Sequence, residues 1–380
     1  MRCPGCSPVG FGYHSSVVAA TIRYGVPTSV SGGQLSLFDD DPAPTTPSQR
    51  VAILPAAVPE SVQRLGEMLP ATVRLGTSSW SFPGWTGLCY APAARPLSET
   101  ALARDGLTAY AAHPLMRTVS LDRTFHAPLA AEGFARYAGQ VPAGFRFVVK
   151  APAAFTDPFV RRPGSGAPAG DNPTFLDAAA AAAALVRPAL TGLGPLAGPL
   201  VFQFPPLGRR LLADMSRTIA RIAAFMTMLT RGPAAAGVAV AVEVRDPELC
   251  TPTLAAALRD AAAIPCLAVH ARMPPVAEQA AAFGLDGAAC PWPIVARWNL
   301  HAGRAYAEAR ADYFPFDRLV EEDEPTRAAI AELAARAAAA GRDVFVTINT
   351  KAEGSAPLSV LRLAEAIVAR IGDLPPCHLK

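Results

Sequence analysis

A (β/α)8 barrel preceded by a disordered N-terminal tail is the architecture this sequence predicts. Three observations carry that expectation. Eight short apolar runs occur in order, most of them end in polar residues, and a helix-like stretch separates most neighbours. The runs are VRLGTSSW (73–80), MRTVSLD (116–122), FRFVVK (145–150), PLVFQF (199–204), VAVAVEVR (238–245), IPCLAVH (264–270), VARWNLH (295–301) and DVFVTIN (343–349). Alternating strands and helices specify a parallel sheet, and eight such units close it into a barrel. The C-terminal strand ends of a barrel meet at one mouth, where its chemistry sits.

Composition narrows the classes. The 380 residues are 51% hydrophobic and 17% charged, ample for a buried core. A net charge of +3 argues against strong direct binding of nucleic acid, which needs a concentrated basic face. No uncharged apolar run reaches the roughly 18–20 residues of a membrane span, and VVAATI (17–22) is too short for a signal core. These features predict a soluble, cytoplasmic protein with no membrane partner. Seven scattered cysteines do not form a disulfide scaffold, and Cys3 and Cys6 make a CxxC with no second ligand pair at zinc spacing.

Residues 1–70 read as a low-complexity tail and linker, with DDDPAPTTPSQR (39–50) solvated and a short helix around SVQRLGEML. Residues 71–375 form the barrel. Its length exceeds the ~250 residues usual for this fold, which two Pro/Gly-rich insertions explain, at 155–173 and 273–293. Helices are expected over 97–113 with Ser98 as N-cap, 171–190 behind a cap-like Asp or Asn, 208–229, 321–341 ending on Gly341, and 356–372.

Six ordered motifs then carry a resemblance: GTSSWSFPGW (76–85), TVSLDRTFH (118–126), FRFVVKAP (145–152), GPLVFQFPP (198–206), VAVEVRDPEL (240–249) and INTKAEGSAP (348–357). They resemble the YecE-like family, a domain of unknown function. The resemblance spans roughly 73–372 and implies a TIM barrel without supplying a reaction. The chain also departs from the family pattern. The family's second-strand motif is close to E-x-N-x-T-F-Y, whereas this chain has Ser120, Asp122, Thr124, Phe125 and His126; the last strand has Asn349 followed by Thr350.

The strand ends nominate a site. Lys150 closes an apolar strand, where desolvation lowers an amine's pKa; it is either a Schiff-base nucleophile or general base, or the ion-pair partner of Glu243. Glu243 should point inward as a general acid or base, a hydroxyl ligand, or the partner of Lys150 or Arg245. Arg245 suits bidentate recognition of carboxylate or phosphate, or a structural clamp. Asp122 joins Lys150 and Glu243 as a catalytic candidate. With Glu243, the strand-end residues Asp122, His270 and His301 could hold a divalent metal, although no HxH or HExxH spacing supports it and no cofactor is expected. Gln203 reads a substrate amide or hydroxyl, or satisfies a Pro-rich turn. Loops seven and eight, with His301, Gly303, Arg304, Asn349, Lys351, Gly354 and Ser355, match the usual phosphate position of such barrels. Trp80, with Phe82, Trp85 and Tyr90, either stacks on a substrate or plugs the barrel top.

The tail carries QLSLF, which resembles the peptide that docks bacterial proteins on the DNA polymerase sliding clamp. Gln34 would bond at a pocket rim, while Leu35, Leu37 and Phe38 would fill apolar pockets. Three functions follow as expectations. The first is an enzyme, hydrolase or lyase, acting on a small polar or phosphorylated substrate. The second is a clamp-docked DNA-repair or nucleic-acid-processing factor. The third is a non-catalytic binding barrel.

Overall fold

The computed structural model describes residues 52–287 and 290–373. The QLSLF peptide, with Gln34, Leu35, Leu37 and Phe38, lies outside the described residues, as do Cys3, Cys6 and Cys377.

The eight apolar runs form the eight barrel strands: β1 (Val73–Thr77), β2 (Thr118–Leu121), β3 (Arg146–Lys150), β4 (Ala197–Phe204), β5 (Val240–Val244), β6 in two pieces (Ile264–Pro265 and Leu267–Val269), β7 (Ile294–Trp298) and β8 (Val344–Ile348). All ladders between them are parallel. The ring runs β6–β5–β4–β3–β2–β1–β8–β7–β6. It closes through the split strand, whose first piece pairs with β5 and whose second pairs with β7. β-Branched and aromatic residues dominate these runs, as strands buried on both faces require.

Strand parity explains how the mouth is built. Val148, Val201, Ala241, Val295 and Phe345 belong to one buried cluster, the packed layer inside the barrel, with Ile264 and Cys266. Successive side chains alternate between faces, so the residues two positions further along share that inward face. They are Lys150, Gln203, Glu243, Arg297 and Thr347. An apolar floor thus supports a polar layer immediately above it. The opposite strand faces pack against the helices in the larger cluster, with Phe147, Val149, Phe202, Val242 and Val346 among its members.

Gly76 lets β1 and β2 approach. A Cβ there would lie 1.8 Å from the Thr118 carbonyl oxygen, so backbone would have to move. Gly76→Ala should therefore destabilise the barrel by roughly 1–3 kcal/mol, the usual cost of overpacking. Urea unfolding measures it, and an unchanged midpoint would show that the two strands can separate without cost.

The helices differ from expectation at their ends. Segment 97–113 is two helices, Glu99–Asp105 and Leu107–Ala111, parted at Gly106; Ser98 accepts from the Ala101 N–H, as an N-cap does. The helix expected from 171 starts at Ala178 and is capped by Asp177. Residues 171–172 are instead committed to the first insertion, where Phe159–Arg161 and Pro168–Asp171 form an antiparallel hairpin. Segment 208–229 becomes Arg209–Leu212 and Met215–Ala235. Helix Glu324–Ala339 is capped by Asp323, and Gly341 beyond it takes a left-handed φ of 70°.

The stretch Ala178–Leu196 is long and apolar enough to cross a membrane by length and composition. Here it buries Ala181, Leu185, Val186, Ala189 and Leu193 in the barrel's outer core. The described part of the 1–70 segment also packs on the barrel. Residues 54–56 bond backbone-to-backbone with 89–91. Helix Glu60–Met68 is tied to the start of β2 by Arg117, which donates to the carbonyls of Gly66, Leu69 and Pro70.

Candidate functional site

A cavity of about 630 Å³ opens at the C-terminal strand ends. Its walls bring together residues far apart in sequence, among them Asp122, Lys150, Gln203, Arg245, His270, Asn349 and Lys351. All but Lys351, three residues beyond β8, follow from the strand parity above or stand just past a strand end.

The floor is a charged network centred on Arg297. This guanidinium is 1% exposed. Its Nη1 donates to Glu243 Oε2 at 2.8 Å, and its Nη2 donates to both Asp122 oxygens at 2.7 and 2.8 Å. Arg245 pairs with the other Glu243 oxygen. Ser120 donates to Asp122 Oδ1 at 2.6 Å. Burial alone would raise the pKa of Glu243, but Arg245, Arg297 and Lys150 overcome it and hold the carboxyl at about 2. Glu243 is therefore a fixed anion at neutral pH. It orients two arginines, and as an anion it holds no proton to give as a general acid. Burial likewise opposes the charge on Arg297, and Asp122 and Glu243 more than offset it.

Lys150 is not the partner of Glu243, whose oxygens are taken by arginines. Its Nζ sits 3.5 Å from the centroid of the Phe125 ring. Burial depresses its pKa to about 8, with Asp122 opposing and Arg297 assisting the drop. Lys351 also falls to about 8, through burial and then Arg310. Its Nζ lies between the Tyr306 and Phe316 rings, 4.7 and 5.4 Å from their centroids, and donates to Asn349 Oδ1 at 3.3 Å. Burial and Arg245 push His270 down to about 4, so its imidazole is neutral at pH 7.

Other expected residues go elsewhere. Arg304 donates to Glu321 and Asp312 on the outer side of loop seven, and is not part of the cavity wall. His301 lies 3.8 Å from Glu321 and bonds with the Ala302 carbonyl. Strand β7 ends at Trp298, three residues earlier than the apolar run suggested, so His301 is already on the loop. Glu321, expected within a helix start, precedes that helix, pairs with Arg304 and faces His301. Trp80 is 5% exposed, donates to the Leu102 carbonyl and packs edge-on against Tyr137, which favours the plug over the stacking platform. Trp85 and Tyr90 are fully buried. Asp122, Glu243, His270 and His301 do not form a metal set: among the described residues, no group of three or more His, Cys, Asp or Glu is placed to hold an ion.

Among the wall residues that escape the strand-end rule, Arg297 stands inside an apolar run, Arg272 on a loop, and Tyr306 at the start of helix Tyr306–Tyr313. Of these only Arg297 has a signal in the sequence, as a charge alternating with Val295 and Asn299 on one strand face. A smaller chamber of about 150 Å³ adjoins the mouth and shares Ser78, Ser79, Asp122 and His126 with it; Trp80, Ser81 and Ser120 complete part of its wall.

A closed parallel barrel with a cationic mouth and a buried Arg–carboxylate floor defines a TIM-barrel protein with a preformed polar cavity. The chain belongs to the family described as protein of unknown function DUF72, which matches residues 74–377. This is the YecE-like family of the sequence resemblance. In this chain Ser120 on the second strand donates to Asp122, whose carboxylate lines the mouth from just past the strand end. No curated protein matches the chain. Among solved structures, a DUF72 family protein from Enterococcus faecalis V583 is similar at 16% identity and a TM-score of 0.51, covering 81% of this chain and 100% of that one. A DUF72 family protein from Thermotoga maritima MSB8 matches at 17% identity and a TM-score of 0.48, covering 77% and 98%. The first likeness supports the fold.

Proposed function

We propose that this chain is a cytoplasmic enzyme acting on a small anionic substrate bound in the C-terminal mouth. The observation that carries this is the charge of the wall. Lys150, Arg245, Arg272, Arg297 and Lys351 line one cavity with a single carboxylate, Asp122, while Glu243 lies sealed beneath. Such an excess of cations in a concave, partly desolvated site favours phosphate or carboxylate. Ser78, Ser79, Asn299 and Asn349 add neutral polar groups suited to hydroxyls. Lys150 is the acid–base candidate, since its pKa of about 8 lies close to neutrality. Lyase chemistry suits such an amine better than hydrolysis assisted by Glu243, because both oxygens of that carboxylate face arginines and it is fully buried.

Thermal unfolding against inorganic phosphate and a panel of sugar phosphates tests the reading. A ligand present at 100 times its Kd adds about 2.7 kcal/mol, enough to raise Tm by at least ~3 °C. The shift should vanish in Arg245→Ala and Lys351→Met and persist in Arg304→Ala, whose guanidinium is held by Glu321 and Asp312. A panel without any shift, or a shift abolished by Arg304→Ala alone, would refute the site.

A further inference from the structure

The chain holds 34 Lys and Arg residues, and only three are lysine: Lys150, Lys351 and Lys380. Positive charge is supplied almost everywhere by arginine. Yet Lys150 and Lys351 line the same cavity. Arginine is the better residue for a buried ion pair or a bidentate anion contact, and it stays protonated. What a lysine offers instead is an amine that can shed its proton and attack.

The two lysines are held differently. Lys351 Nζ donates to Asn349 Oδ1. Lys150 is 9% exposed and its Nζ has no hydrogen-bond or ion-pair partner among the described residues; its close neighbour is the Phe125 ring. An amine on a rigid strand end, nine-tenths buried and facing a cavity without a polar partner, has its lone pair available once deprotonated.

We propose that Lys150 forms an imine with the carbonyl carbon of an aldehyde or ketone whose anionic group is held by Arg245, Arg272 and Lys351. The inference rests on the anionic-substrate reading above and names its substrate class. The neutral Nζ attacks the carbonyl carbon, the C–N bond forms, and the carbonyl π pair moves to oxygen. Both amine protons end on that oxygen, which departs as water, leaving a C=N bond; protonation by solvent then gives the iminium. His126 lies on the wall of both chambers. Burial and Lys150 lower its pKa, so the ring is neutral and can accept one proton while donating another. The Asp122 carboxylate, fixed by Arg297, faces the positive charge of the iminium. The serine-lined side chamber takes the end of the substrate remote from the anion, which favours hydroxylated carbons there.

With a pKa of about 8, roughly a tenth of Lys150 is neutral at pH 7. Reductive trapping reads the step directly, and three lysines make the peptide map unambiguous. The full chain is incubated with glycolaldehyde phosphate, dihydroxyacetone phosphate or glyoxylate and reduced with borohydride. The expected product of at least one probe is a single adduct at Lys150. Its formation should rise with pH through about 8, disappear in Lys150→Arg and Lys150→Met, and run at least tenfold faster with glycolaldehyde phosphate than with uncharged glycolaldehyde. Adducts confined to Lys351 or Lys380, equal labelling by glycolaldehyde, or no adduct with any of the three probes would overturn the proposal. A retained phosphate-induced Tm shift without an adduct sinks the imine alone. Loss of both sinks the anion site as well.

Discussion

Replacing Arg297 with methionine is expected to lower stability by about 3–5 kcal/mol, the cost of stripping one partner from a buried ion network. The guanidinium is fully buried and bridges Asp122 and Glu243, which come from opposite parts of the ring. Its removal leaves Glu243 enclosed with Arg245 as the remaining close cation. The substitution should also change how stability depends on pH. Glu243 titrates near 2 in the folded chain against a usual value of 4.5. A carboxylate depressed in this way contributes stability that is full above about 4.5 and lost as pH falls towards 2. Without Arg297 the folded value rises, so acid weakens the variant less steeply over that interval, from a lower starting stability. Urea unfolding between pH 3 and 7 measures both effects. A loss below about 1 kcal/mol at pH 7 would show that Arg245 and solvent suffice for Glu243.

Lys150→Met should act in the opposite direction and stabilise the barrel, while eliminating the imine. The amine titrates at about 8 instead of 10.5 because its charged form is penalised by burial. At about 1.4 kcal/mol per tenfold change in proton affinity, that drop caps the gain at about 3.5 kcal/mol, and ~1–3 kcal/mol is expected. Below pH 8 both folded and unfolded wild-type chains carry the charge and the full cost applies. As pH rises from 8 to 10.5 the folded chain has already released the proton that the unfolded chain still holds, so the wild type regains stability. The advantage of the variant is therefore largest at neutral pH and closes towards pH 10.5. Methionine is close in length and volume, so packing changes are small. A less stable variant, or an advantage that ignores pH, would mean that the ammonium is well accommodated where it stands. Such a trade of stability for reactivity is common at functional sites.

The barrel was legible because its signal is local. Each strand announces itself as a short apolar run, and a one-residue alternation decides which side chains face inward. Lys150, Gln203, Glu243 and Arg245 were found by that rule. Arg297 obeys the same alternation, but an interior charge in an apolar run contradicts the rule that strand chemistry sits at the ends. Only the spatial meeting of β7 with Asp122 and Glu243 explains why the charge is tolerated. Arg304 failed for the converse reason. Its spacing suited an anion loop, while its actual partners, Asp312 and Glu321, depend on how a long loop folds back. The division of helix 97–113 at Gly106 and the start at Ala178 behind Asp177 follow local residues instead, a poor helix former and an N-cap carboxylate.

Arg297 touches residues supplied by two other parts of the ring, so its consequence reaches into the history of the chain. Asp122, Glu243 and Arg297 cannot drift one at a time. A lineage that exchanges one of them strands a buried charge on another until a second change arrives, and Arg245 gives Glu243 a partial reprieve during the interval. Ser120 adds a further hold on Asp122, donating to its Oδ1 from two residues away. Changes at the rim, by contrast, leave the pairing of Arg297 with Asp122 and Glu243 intact.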